Sequence, residues 1–192
     1  MPAAELARAT THWLIDKFDA DQTVWVQRRS CLAAPSAADF ARFGVLPYET
    51  TEVHGNLVTT AGLTRLTSLL TAGGGQAITN TSARIGVGNA TSPAAAVGDT
   101  NLSASAGSAN RWFQIMDATY PQVSAGVLTL KATLGTADGN FAWNEFGIDI
   151  GTPTVTSSAT VNATLFNHKT SIAQGTKVAG QTWAATATCT FS

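Results

Sequence analysis

A chain of 192 residues, 44% of them hydrophobic and only 12% charged, has enough apolar material for a core and too little charge for an intrinsically disordered segment. Eleven Lys and Arg stand against twelve Asp and Glu, giving net charge −1 and a pI of 6.3, so there is no basic excess to neutralise phosphates and nucleic acid is not an expected partner. No run approaches the ~18 apolar residues of a spanning helix, and the opening MPAAELARATTHWLIDKFDAD has no basic segment followed by an apolar one, so neither a membrane partner nor a signal peptide is expected.

Charge divides the chain unevenly. Residues 1–54 carry 12 of the 23 charged side chains, and the remaining 138 residues carry 11. Two regions with different surface chemistry follow, an N-terminal arm over 1–54 and a second region over 55–192. Within the arm, AAELARATTHWLIDKFD at 3–19 is free of Gly and Pro and predicts a helix, with Leu6, Trp13, Leu14 and Phe18 roughly on one face. QTVWVQ at 22–27 alternates as a short strand would. SAADFARF at 36–43 predicts a second helix, capped by Ser36 and stopped by Gly44. Residues 45–54 read as extended, because Pro47 opposes helix.

The second region opens with a helix predicted over 61–71, capped by Thr60, with Leu63, Leu66, Leu69 and Leu70 as one apolar stripe and Gly73 as its stop. Strand signals follow. SARIGVG places Ala83, Ile85 and Val87 on one face. RWFQIMDATY and VLTLKATL flank PQVSAG and predict a hairpin over 111–134. Further strands are predicted at 140–150, 163–171 and 181–192. In the last, Trp183, Ala185, Ala187, Cys189 and Phe191 alternate with threonines. The tract 91–109 is a loop of small residues with one helical turn at 93–97. Short strands separated by turn-rich tracts predict a mainly β (α+β) fold: an antiparallel sandwich or barrel-like domain with one short helix, behind a partly helical arm.

The residues that could carry chemistry form no catalytic pattern. Cys31 and Cys189 lie at opposite ends of the chain and read as small buried hydrophobes. His12, His54 and His168 belong to no HExxH or HxH spacing, so no metal or other cofactor is expected. Gly86-Val87-Gly88 begins like a dinucleotide fingerprint but leads into a loop, and reads as two glycines in a turn. Asp117, Asp138, Glu145 and Asp149 could furnish a glycosidase pair, yet no spacing singles out two of them. Trp143 and Trp183 sit in strand patterns and read as core. Arg28 and Arg29 lie beside Trp25, and Trp and Arg are the residues most often found at binding hot spots.

From Gly55 onward the order of several phrases is informative. GNLVTTAGLTRLTSLLTAGGG leads to ARIGVGNAT, then FQIMDATYPQV, FAWNEFGIDIG and LFNHKTSIAQGTKVAGQTWAATATCTFS. This order resembles a group of small virion proteins of tailed bacteriophages, over about residues 55–192. The resemblance implies a non-enzymatic structural virion protein, first a capsid decoration or cement-type protein. Its alternatives are a tail or baseplate-associated protein or a carbohydrate- or receptor-binding module. The expected partners are other virion proteins, the major capsid protein or tail proteins, together with copies of the chain in a homo-oligomer. The expected location is the virion, assembled in the host bacterial cytoplasm. The arm lies outside the resemblance and is expected to be an attachment element that orders against a neighbour, with Trp13, Phe18, Trp25, Arg28 and Arg29 as its contact residues.

Overall fold

A computed structural model describes residues 9–71, 73–151 and 164–191. Among these described residues, ten strands and three helices occur in the order β1 (Ala9–Phe18), α1 (Ala20–Ser30), α2 (Ala37–Arg42), β2 (Glu49–His54), β3 (Leu57–Val58), α3 (Thr60–Leu70), β4 (Ala83–Gly88), β5 (Arg111–Ile115), β6 (Gln122–Ser124), β7 (Val127–Leu134), β8 (Glu145–Ile150), β9 (Thr164–Thr170) and β10 (Thr182–Phe191). All strand pairs are antiparallel, in two five-stranded sheets ordered β2-β1-β10-β7-β6 and β3-β9-β8-β4-β5.

The N-terminal segment departs most from expectation. The predicted helix over 3–19 is a strand from Ala9 to Phe18, and its first residues, 3–8, lie outside the described part. Thr11, Trp13, Ile15 and Lys17 are buried, whereas His12, Leu14 and Asp16 between them are only half-buried, which is the two-residue period of a strand. β1 lies between β2 and β10, paired with β10 from Ala9–Phe191 to Phe18–Thr182. Tertiary pairing and the β-branched and aromatic side chains outweigh the segment's modest helix propensity. The predicted strand at 22–27 is instead helix α1. Its Asp19 carboxylate accepts from the Gln22 amide at 2.8 Å, and the Gln22 side chain accepts from the Asp19 amide at 3.0 Å. This reciprocal cap satisfies two backbone donors that a helix start otherwise leaves free.

The 111–134 hairpin is also corrected. β5 pairs with β4 in the second sheet, and β7 pairs with β10 in the first. The hairpin that does form is β6–β7, turned by Ala125 and Gly126, both at positive φ (48° and 76°), as a two-residue hairpin turn requires. The chain crosses between the sheets near Asp117. That carboxylate accepts from the Thr133 amide and hydroxyl at 2.9 and 2.8 Å, and the same hydroxyl accepts from the Ala37 amide of α2 at 3.0 Å. The predicted turn at 93–97 is not helical, and the strand predicted over 140–150 begins only at Glu145. The predicted α2, β4, β9 and β10 stand close to where the sequence puts them, although Ala163 and Ser192 at their ends lie outside the described residues.

One apolar cluster draws on both sheets. The first contributes Trp13, Ile15, Leu130, Leu134, Trp183 and Ala185, and the second Ile85, Val87, Phe146, Ile148 and Phe166. Trp143 sits among them, 4.8 Å from Trp183 and 6.1 Å from Phe146 between ring centroids. Cys189 is buried in this cluster, but Cys31 is exposed at the left-handed end of α1, contrary to the expectation that both are buried. α3 lies on β9 through Gly62, where a methyl group would collide with the Phe166 carbonyl, so the helix can approach this closely only with glycine there. Thr59, rather than Thr60, caps α3. Of the leucine stripe, Leu66 packs on the core while Leu63 and Leu70 are exposed.

Candidate functional site

The five expected contact residues separate into two groups. Trp13 and Phe18 are buried within the chain's own core, so they are not available to a partner. Trp13 stacks on Phe146 at 4.9 Å, and Phe18 stacks on Phe40 at 3.9 Å. The β period of residues 9–18 aims Trp13 inward, and the small cluster Phe18, Val26 and Phe40 holds α1 and α2 together. Trp25, Arg28 and Arg29 lie on the opposite face of α1 and are exposed.

These exposed residues meet others that the sequence did not single out. Phe43, just past α2, meets Trp25 edge-on at 6.0 Å. The Arg29 guanidinium lies 5.3 Å from the Trp25 ring and 5.9 Å from Phe43, and Arg42 lies 5.4 Å from Phe43. Leu46, 77% exposed, is tied alongside by its carbonyl, which accepts from the Gln22 side chain at 2.8 Å. Among the described residues, Arg28, Arg29 and Arg42 form no ion pair. The result is an aromatic surface edged by three cations, in which Trp25, Phe43, Arg29 and Arg42 are held in place by ring contacts. The Phe and Arg of SAADFARF were visible in the sequence, but nothing local showed that α2 would lie against α1.

The second constellation is buried. Across β8 and β4, Glu145 faces Gly88, and a methyl group on Gly88 would fall on the Glu145 carboxylate. That carboxylate accepts from the backbone amides of Ser103 and Ala104 at 2.8 and 2.7 Å and meets His168 Nε2 at 2.9 Å. His168 Nδ1 meets Asp99 at 2.6 Å, and the Arg111 guanidinium donates to the Ala104 carbonyl at 3.3 Å. Burial alone pulls the imidazole's pKa down, but hydrogen bonds and charge from Glu145 and Asp99 outweigh it and leave His168 raised. Burial pushes Asp99 up, yet the Ala96 amide and His168 more than offset this and leave it lowered. The cluster fastens loop 89–110 onto the second sheet, where Leu102, Phe113 and Leu165 form their own apolar contact. Gly86 and Gly147 allow that overlay, since a side chain on either would meet Leu102 and its neighbours. The Gly-Val-Gly phrase is therefore a strand passing beneath a packed loop, not a turn.

The other carboxylates are committed to structural contacts. Asp149 is buried against Arg84, with Nε at 2.9 Å and Nη2 at 2.5 Å. Asp138 accepts from the Gly135 amide at 3.1 Å. Lys177 is buried and donates to the Gly135 carbonyl and Asn140 Oδ1, both at 2.7 Å, and burial lowers its pKa to about 8 against the opposing pull of Asp138. A surface groove of about 650 Å³ lies beside α3, lined in part by Arg65, Thr164 and the outer edge of Asp99.

A third group joins residues far apart in sequence. His12 on β1 pairs across the sheet with His54 on β2, their rings stacked at 4.6 Å, and Glu52 of β2 lies against both. Sequence spacing missed it because His12 and His54 stand 42 positions apart in the chain.

No family model matches the chain, and no curated protein or solved structure matches it either.

Proposed function

We propose that this chain is a structural virion protein of a tailed bacteriophage, a β-sandwich that works through protein–protein contacts, first as a decoration or cement protein on the capsid. The observation that carries the proposal is the surface patch of exposed Trp25, Arg28, Arg29 and Arg42 around the half-buried Phe43. Aromatic and arginine side chains already held in place lose little freedom on docking, which is the economy that interface hot spots exploit. Three cations without carboxylate partners among the described residues suit an acidic patch on a neighbouring virion protein. The ordered phrases of residues 55–192 add to this. Glu145, His168 and the glycines of β4 come from those phrases and together fasten the loop over the second sheet.

Trp13, Trp143 and Trp183 are buried, which favours a structural role over a carbohydrate platform made of several exposed tryptophans. The test is quantitative mass spectrometry of purified particles of the phage that encodes the chain. Copies comparable with the major capsid protein support decoration. Six or fewer, or a small multiple of three, move the proposal to the tail or baseplate. Absence from the particle refutes it.

A further inference from the structure

We propose that His12, Glu52 and His54 form a surface site for a borderline divalent transition metal of the zinc class. β1 and β2 bring the three together: His12 and His54 are direct cross-strand partners, and Glu52 is two residues from His54 on the same face of β2. His12 Nε2 lies 3.3 Å and His54 Nε2 3.9 Å from the same oxygen, Glu52 Oε2, and the three ligand atoms all fall within 4.8 Å of one another. Ligands bound tetrahedrally at zinc distances stand about 3.3–3.4 Å apart. The His12–Glu52 pair already meets that separation, and the exposed His54 ring needs only a side-chain rotation to join it.

A second observation points the same way. His12 Nε2 is shielded from solvent yet has no hydrogen-bond partner, although it faces a carboxylate oxygen. A cation placed between the two atoms would take the neutral imidazole nitrogen and the carboxylate oxygen as ligands and give the shielded Nε2 a partner. Two imidazoles and one carboxylate suit zinc and its neighbours, whereas calcium and magnesium prefer six or more oxygens. Three protein ligands leave a fourth position for water. The ion would clip the edge strand β2 to β1.

The test is calorimetric titration of the tag-free full chain with zinc chloride in metal-free buffer, with magnesium chloride as control, followed by thermal melts with and without zinc. One equivalent of zinc should bind with micromolar or tighter affinity, magnesium should not bind, and zinc should raise the melting point. His54→Ala and Glu52→Gln, both at exposed positions, should keep the metal-free melting point and weaken zinc binding about tenfold or more, as the loss of even an outer partner of a ligand does. Failure to bind zinc more tightly than magnesium would overturn the proposal, as would unchanged zinc affinity in both variants.

Discussion

Glu145 on β8 and His168 on β9 meet at 2.9 Å through Oε2 and Nε2, with both side chains fully buried. Around this contact the Ser103 and Ala104 amides, Asp99 and Arg111 draw the long loop between β4 and β5 onto the sheet. Removing one partner of a buried charged contact costs about 3–5 kcal/mol, because the survivor remains buried and uncompensated. His168→Ala should therefore lower stability in urea titrations by that amount and speed amide exchange throughout residues 95–110. A loss of only about 0.5 kcal/mol or less, the scale of an ordinary surface change, would mean that the contact does not hold the loop.

The same cluster fixes a pH response. His168 is raised above its ordinary 6.5, so its contribution is complete below pH 6.5 and is lost as pH rises through the folded-state value. Asp99 is lowered below its ordinary 3.8, so its contribution is complete above pH 3.8 and is lost as pH falls through its own folded value. Lys177 works in the opposite sense on the alkaline side. Its folded pKa of about 8 lies below the ordinary 10.5, so stability rises with pH between them. Comparing wild type with His168→Gln separates these terms. The advantage of wild type should be greatest between pH 3.8 and 6.5 and shrink on the alkaline side, and a difference constant with pH would contradict the assignment.

Residues 9–54 supply β1, α1, α2 and β2, and β1 is an interior strand. Deleting residues 1–54 should therefore unfold the chain, rather than release the folded β domain expected of an appended arm. Trp13→Ala and Trp183→Ala, at fully buried positions, should each cost about 3–5 kcal/mol in chemical denaturation. A truncated protein that still melts cooperatively would contradict the placement of β1 in the sheet.

Much of the second region was legible because its patterns are local. The alternation in residues 182–189 and the run at 83–88 each state their own structure, as does the capped α2 in the first region. β1 was misread because its apolar residues fit both periods loosely, and only its partner β10, over 160 residues away, decides between them. α1 was misread although its signal was present: Asp19 and Gln22 stand at capping-box spacing, and the alternating Val24, Trp25 and Val26 masked it. The hairpin error had another cause, since two good strands separated by a short turn-like connection can still enter different sheets. Trp25, Arg28 and Arg29 were legible as a surface. The Glu145–His168–Asp99 cluster and the His12–Glu52–His54 group were not, because both depend on strand order.

The most direct measurement of the proposed role is the incorporation of a Trp25→Ala/Arg29→Ala double variant into particles in cells producing the phage without its own copy of the gene. Both positions are exposed on α1, so the variant should melt like wild type. Hot-spot truncations cost about 2 kcal/mol or more each, so the copy number per particle should fall at least about tenfold, at about 1.4 kcal/mol per tenfold. A variant that folds normally and enters particles at the wild-type copy number would contradict docking through this patch.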